Sequence, residues 1–403
     1  MRGLSNDEAA AVERSAAEPM LAQVEAWAAV NSGSHNLIGL GQLAGLLADA
    51  FAALPGEPVL REAGAVDAVT PAGERLGVQH GRNLHLTVRP QAAVQLLFTG
   101  HMDTVFAADH AFQDVFWRDE GVLGGPGVAD MKGGLAVLLA ALKAVEASPL
   151  AASLGYEIVI NSDEEVGSPG SAALIAEAAR GKKAALTYEP SALPDGTLAG
   201  ARPGSGNFSL IVRGKSAHAG RNPEEGRNAL LAAAELALRL ADAQAEGLSV
   251  NPARIDGGGP NNVVPDHAVL RINMRPRTIA DQTRAQAALD DAVAEVAAKR
   301  EVRINMHGGW GRPPKPLDEA AGKLFALVAS CGADLGQSIG WRDSGGVCDG
   351  NNIAACGVPV VDTMGVRGGA IHSDAEYLIV ESLAERACLS ALTILRLAQG
   401  EGL

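Results

Sequence analysis

Aromatic residues are scarce in this 403-residue chain: four Trp, three Tyr and seven Phe make up 3% of it, which leaves Ala, Leu and Val to build the core. Cysteine is also rare. Cys331, Cys348, Cys356 and Cys388 form no CxxC pair, which argues against a disulfide scaffold or a structural zinc knuckle and leaves them as small buried hydrophobes. Positive charge is in deficit. With 33 Lys and Arg against 47 Asp and Glu, the net charge is −14, and no basic block offsets it, so the chain should repel nucleic acid and anionic membranes. Long hydrophobic runs are missing too. The longest helical apolar segment, "GGLAVLLAALKAVEA", is too short to span a bilayer and contains Lys143 and Glu146. Asp7, Glu8, Glu13 and Arg14 leave no room for a secretory hydrophobic region. The expectation is a cytoplasmic protein.

What is present describes a globular chain, 47% hydrophobic and 20% charged, long enough for two domains. An apolar pattern at helical spacing runs from Met20 to about Leu54 and stops at Pro55-Gly56; strands and helices then alternate. "VQLLFT" (94–99), "YEIVIN" (156–161), "AALTY" (184–188) and "VPVVDT" (358–363) are continuously apolar and suit strands buried on both faces. "MKGGLAVLLAALKAVEA" and "SPGSAALIAEAAR" read as helices between them. This order predicts an α/β fold, a mostly parallel sheet flanked by helices.

After the Gly/Pro-rich "ARPGSG" (201–206) the pattern changes. A strand (208–213), a helix (about 224–245), strands around 248–255 and 267–275, a helix (about 279–298) and a strand (302–306) give βαββαβ, the ferredoxin-like arrangement. "GGWGRPPKP" (308–316) reads as the return joint. The expected division is therefore 1–202 with 314–403 as one domain and 203–313 as an insertion.

In a parallel sheet all strand carboxyl ends share one edge, where the binding crevice forms. Five segments send His or carboxylate there: "GHMDTV" with His101 and Asp103; "GGPGVADMKGG" with Asp130; "SDEEVGS" with Asp163, Glu164 and Glu165; Glu189; and "GAIHSDAEY" with His372. Alone, His101-x-Asp103 suits a satisfied turn, and each of the others suits a cap or a solvated loop. Together, Asp130, Glu164, Glu165 and Glu189 bring four negative charges into one crevice, which cannot all stay ionised without cations. Two divalent ions would balance them, and imidazole with carboxylate suits zinc. Neighbouring side chains of an extended segment point apart, so one of Glu164 and Glu165 would ligate while the other accepts a proton. Asp103 is placed to fix the His101 tautomer. The glycines at 124–127 do not form the GxGxxG of a nucleotide site.

Together with "YEP", "GKSAHAGRNPEEGRNA", "NNVVPDHAVLRINMR" and "SGG", these motifs resemble, in order and over nearly the whole chain, the co-catalytic dizinc metallopeptidases. That family includes glutamate carboxypeptidase, acetylornithine deacetylase, succinyl-diaminopimelate desuccinylase and aminoacylase. The His218 and Asn262 segments resemble glutamate carboxypeptidase most.

The resemblance implies a zinc-exopeptidase-like domain with an inserted lid and dimerisation domain. It also implies two Zn2+, or Co2+ or Mn2+ in their place, bridged by Asp130. His101 and Glu189 would complete one site, and Glu165 and His372 the other. Glu164 would be the general base, Asp103 the partner of His101, and the Asp130–Met131 peptide would be cis. His218 would reach a partner subunit's site to steady the oxyanion, making the homodimer part of the catalyst, while Asn262 and Arg275 would hold a substrate carboxylate.

The implied activity releases a carboxyl-terminal glutamate-like residue from a peptide or N-acyl conjugate. Deacylation of N-acyl amino acids is the alternative. One departure concerns specificity: "SGGVCDG" (344–350) has Val347 and Cys348 where relatives often carry Thr and Ser.

Overall fold

A computed structural model describes residues 2–402. Its main sheet has the strand order Val59–Arg61, Asn83–Val88, Leu154–Asn161, Val94–His101, Ala184–Thr187, Val360–Val361. The last four are mutually parallel; Asn83–Val88 runs opposite to them and pairs antiparallel on both sides, with Val59–Arg61 at the edge and with Leu154–Asn161. The expected α/β sheet is therefore mostly parallel, with a two-strand antiparallel margin that its short, mixed-polarity strands did not announce.

Burial follows the two-residue period of a strand. Leu96 and Phe98 enter a large core with the helices Gly133–Glu146 and Glu381–Ala398, while Leu97 joins Val159, Ala185 and Ile175 on the opposite face. Both faces are thus covered. The helix Gly133–Glu146 starts against the sheet so closely that a Cβ on Gly134 would lie 2.0 Å from the Tyr188 carbonyl oxygen, so glycine is needed there. The helical pattern over 20–54 is two helices, Met20–Ala28 and Leu37–Phe51, the second capped by the Asn36 side chain.

The insertion is βαββαβ as expected. Its strands Ser205–Arg213, Leu248–Gly257, His267–Pro276 and Arg303–Arg312 form an antiparallel sheet in which the first lies between the third and fourth. The helices Ala229–Ala241 and Ile279–Arg300 pack on one face. Against the other lies a hairpin from the main unit, Val66–Val69 with Arg75–Val78, whose Val69 touches Ile211 and Val269.

Two expectations fail locally. The first lid helix starts at Ala229, not near 224, because Asn228 caps it by accepting from the Leu231 amide. The stretch 308–312, read as a joint, is the bulged end of a strand: Gly308 has φ +98°, and a Cβ there would meet Asn207 O at 2.1 Å. The cysteines form no disulfide, and Cys356 is exposed rather than buried, with Cys388 half-buried. No helix among the described residues is long and apolar enough to cross a membrane.

Candidate active site

Register creates the site. The strands ending at His101 and Asn161 are paired in parallel with those two residues opposite each other, and Thr99 faces Thr187 on the other side. His101, the 163–165 turn and Glu189 therefore leave the sheet at one level. Asp130 arrives from the turn before the helix Gly133–Glu146, and the Asp130–Met131 peptide is cis. His372 comes from the loop joining the paired strands Gly368–Gly369 and Tyr377–Ile379, not from beyond the last strand, and has a left-handed backbone, φ 62°.

Asp130 lies between two imidazoles. Its Oδ1 is 3.1 Å from His101 Nε2, and its Oδ2 is 3.3 Å from His372 Nε2. Glu189 Oε2 stands 3.6 Å from His101 Nε2, and Glu165 Oε2 stands 3.1 Å from His372 Nε2. Donor atoms of His101, Asp130 and Glu165 gather within 4.8 Å of one another, as do those of His101, Glu164 and Glu189. His101 and Asp130 are buried and His372 is half exposed at its side chain, so the cluster opens on the His372 side.

Asp103 holds two elements at once. Its backbone oxygen is 3.0 Å from His101 Nδ1 and its carboxylate 3.4 Å, so the carbonyl is the nearer acceptor fixing the ring. The carboxylate accepts from the Glu164 and Glu165 amides, each at 3.1 Å, and from Ser34 Oγ at 2.7 Å. The two glutamates lie on a single 3-10 turn, Glu164–Val166, not in an extended segment. Their side chains nevertheless diverge. Glu165 faces His372, and Glu164 faces Arg312, with Arg312 donating to Oε1 at 2.7 Å.

Charge is crowded here. Burial pushes Glu164 and Glu189 up to about 8 and Glu165 up to about 7. Burial would raise Asp130 as well, but hydrogen bonds with His101 and His372 hold it below the ordinary carboxylate range. His372 is pushed up to about 11 by its hydrogen bonds to Asp130 and Glu165; His101 is raised despite its burial, chiefly by Glu189. Protonated imidazoles thus play the part of cations toward these carboxylates. With the rings neutral, as ligands must be, bound divalent cations would supply the charge that lets these carboxylates ionise, so the donor set fits a metal site.

Two residues that the sequence reading left without a role complete the site. Glu376, buried, accepts from the backbone amides of Gly127, Ala129 and Asp130 at 3.1, 3.0 and 3.0 Å and so fixes the turn that presents Asp130. Its place four residues after His372 in the quoted motif was the available signal. Arg312 had none, because it sits in a Gly/Pro-rich stretch.

The lid residues stand apart. His218 and Asn262 are exposed and neighbour each other, Ala219 N donating to Asn262 O at 2.9 Å and His218 bridging Val263. Among the described residues no hydrogen bond or ion pair joins either to the cluster. Arg275, also exposed, points at the 344–346 loop of its own chain, with one guanidinium nitrogen 3.4 Å from Gly345 O. Of the two departures in that loop, Cys348 is buried and Val347 half-buried.

The profile of Peptidase family M20/M25/M40 matches residues 97–396. Carboxypeptidase G2 of Pseudomonas sp. (strain RS-16) is 30% identical over 329 residues, 81% of this chain and 79% of that protein. Succinyl-diaminopimelate desuccinylase of Pseudomonas syringae pv. syringae (strain B728a) is 29% identical over 309 residues, 72% of this chain and 78% of that protein. Among solved structures, a tripeptidase from Staphylococcus aureus subsp. aureus Mu50 shares the fold with a TM-score of 0.71 at 23% identity, over 96% of this chain and 99% of that one.

Proposed function

Because this chain belongs to peptidase family M20/M25/M40, a family of metal-dependent hydrolases, we propose that it cleaves an amide bond next to a free carboxylate and releases a carboxyl-terminal glutamate-like residue. The carrying observation is Asp130, whose two oxygens each face one imidazole with a further carboxylate beyond it. In this reading His101 and Glu189 would hold one cation, Glu165 and His372 the other, and Asp130 would serve both. Two bound cations, zinc in first place with cobalt or manganese able to stand in, would polarise the scissile carbonyl and make a water acidic enough to attack it.

The chain's own groups do the rest. Glu164 takes up the proton from the attacking water on its carboxylate and returns it to the leaving nitrogen. Asp103 keeps His101 and the glutamate turn in place. Arg275, beside the 344–346 loop, and Asn262 bind the substrate's carboxylate, the arginine with a forked pair of hydrogen bonds. His218, which among the described residues makes no hydrogen bond or ion pair with the cluster of its own chain, donates to the oxyanion of a partner subunit's substrate.

That role needs a homodimer, and the inserted unit, bounded in this reading at 203–313, has a surface suited to one. Leu231 and Leu238 of the helix Ala229–Ala241 are 52% and 70% exposed, and they run beside Leu248–Gly257, an edge strand with unpaired backbone groups and an exposed Ile255.

Deacylation of N-acyl amino acids is the second reading, supported by the desuccinylase at almost the same identity as the carboxypeptidase and by the apolar Val347. Steady-state kinetics on folate-like glutamate conjugates, N-acyl-glutamates and other N-acetyl amino acids separate the two. The first reading expects kcat/KM about tenfold or more higher for glutamate conjugates. The reverse order would replace it with the second, and activity that survives exhaustive chelation would remove both.

A further inference from the structure

Arg312 ends the strand Arg303–Arg312 of the inserted sheet, yet its side chain leaves that sheet and is buried in the main unit, with the residue 3% exposed. One amino group donates to Glu164 Oε1 at 2.7 Å, to the Glu164 carbonyl at 3.0 Å and to Ser168 Oγ at 3.1 Å. The other donates to Asp349 Oδ1 at 2.8 Å and Asn352 Oδ1 at 3.1 Å. Asp349 is itself anchored, accepting from Asn161 Nδ2 at 2.8 Å and Ser168 Oγ at 2.5 Å, and Asn161 closes the strand beside His101. The guanidinium is thus clamped on one arm and holds Glu164 with the other. Among the described residues it is the one arginine or lysine paired with that carboxylate.

A glutamate side chain at the end of a turn can adopt several rotamers, and turnover needs the one that reaches the reacting water. A rigid planar fork with fixed partners on its far side selects one rotamer in a way that a flexible ammonium cannot. We propose that Arg312 is the positioning residue of Glu164. It holds the carboxylate within 4.8 Å of donor atoms of His101 and Glu189, where a proton can be received and returned. The proposal rests on the hydrolase reading of the site, and it gives the inserted unit a part in the chemistry of its own chain, separate from what His218 does.

The test compares Arg312→Lys and Arg312→Met with the wild type. Because a displacement of about 1 Å costs on the order of 10²-fold in rate, kcat should fall about 10- to 100-fold, more in Met than in Lys, with KM changed less than about threefold. Metal content should stay at the wild-type level. In a Glu164→Ala background, Arg312→Lys should add no further loss, since no base remains to orient. Losses that multiply in the double variant would show a merely structural role. A rise in KM with kcat intact would show a substrate contact. Either overturns the proposal.

Crystal structures of the two variants provide an arm independent of turnover: the Glu164 carboxylate should leave its wild-type position, and an unchanged rotamer in both would overturn the proposal. If Arg312→Met does not fold, Arg312→Lys carries both measurements. A wild type inactive on every amide tested would defeat the hydrolase reading while the crystallographic arm still judged Arg312.

Discussion

At the carboxyl edge of the main sheet, His101, Asp130, Glu164 and Glu189 are buried and meet one another or Arg312 within 3.6 Å, whereas on the inserted sheet His218, Asn262 and Arg275 stand exposed. The first group is assembled when its own unit folds. Parallel register and backbone hydrogen bonds, such as those of Asp103 and Glu376, settle where each side chain goes, and the imidazoles of His101 and His372 face the crowded carboxylates. The second group is held by local strand and turn geometry and points outward. Such residues become useful when something else arrives; in the function proposed above, that is a second copy of the chain.

Perturbing the buried group should have the largest effect. Glu164→Ala is expected to keep its cations and lose about 10²- to 10⁴-fold in kcat, the usual range for a general base. Near wild-type turnover in that variant would break the comparison at once. His218→Ala should lose about 10²- to 10³-fold, the usual cost of an oxyanion donor, with its oligomeric state in light scattering unchanged.

Mixing the two inactive variants sharpens the point. If His218 serves the partner's site, subunit exchange should restore roughly a quarter of wild-type activity, since half of the dimers would be mixed and each would hold one complete site. No recovery after verified exchange would place His218 in its own chain's site.

A smaller effect is expected from Glu376→Gln, which weakens the support of the Asp130 turn without replacing any ligand side chain. Cation affinity measured by chelator competition should drop about 10- to 100-fold. An unchanged affinity would show that the turn holds Asp130 without it.

The smallest effect concerns the joint between the regions. Arg202 and Lys315, one on each crossing between them, exchange backbone hydrogen bonds and both contact buried Asp362, Arg202 with two nitrogens at 2.7 and 3.0 Å and Lys315 at 2.9 Å. Burial would raise the Asp362 carboxyl, but these cations hold it down to about 2. The folded pKa lies below the unfolded one, so the stabilisation is complete above about pH 4 and disappears as the pH falls through 2, amounting to roughly 2 kcal/mol. Urea unfolding from pH 5 to pH 2 should show that much more acid loss in the wild type than in Asp362→Asn. Parallel pH profiles would remove Asp362 as the source.

Much of this was legible in the residues. Apolar runs bounded by turn residues marked the strands, and each candidate ligand follows such a run or precedes a helix. The antiparallel margin escaped because Asn83–Val88 alternates polar with apolar and resembles an exposed segment. The joint around 308–312 was misread because its glycines, which signal a break, serve there to let a bulged strand approach its neighbour.

Local sequence by itself determined which elements form, their order, and the kinds of donor at their ends, because backbone propensity and side-chain period act over a few residues. Which oxygen of Asp130 faces which ring, whether Asp103 reaches His101 by its carbonyl or its carboxylate, and the grip of Arg312 on a glutamate 148 positions away were decided only by the tertiary structure. Those contacts depend on how sheets and turns pack in three dimensions, to ångström precision, and no spacing along the chain encodes a distance of that kind.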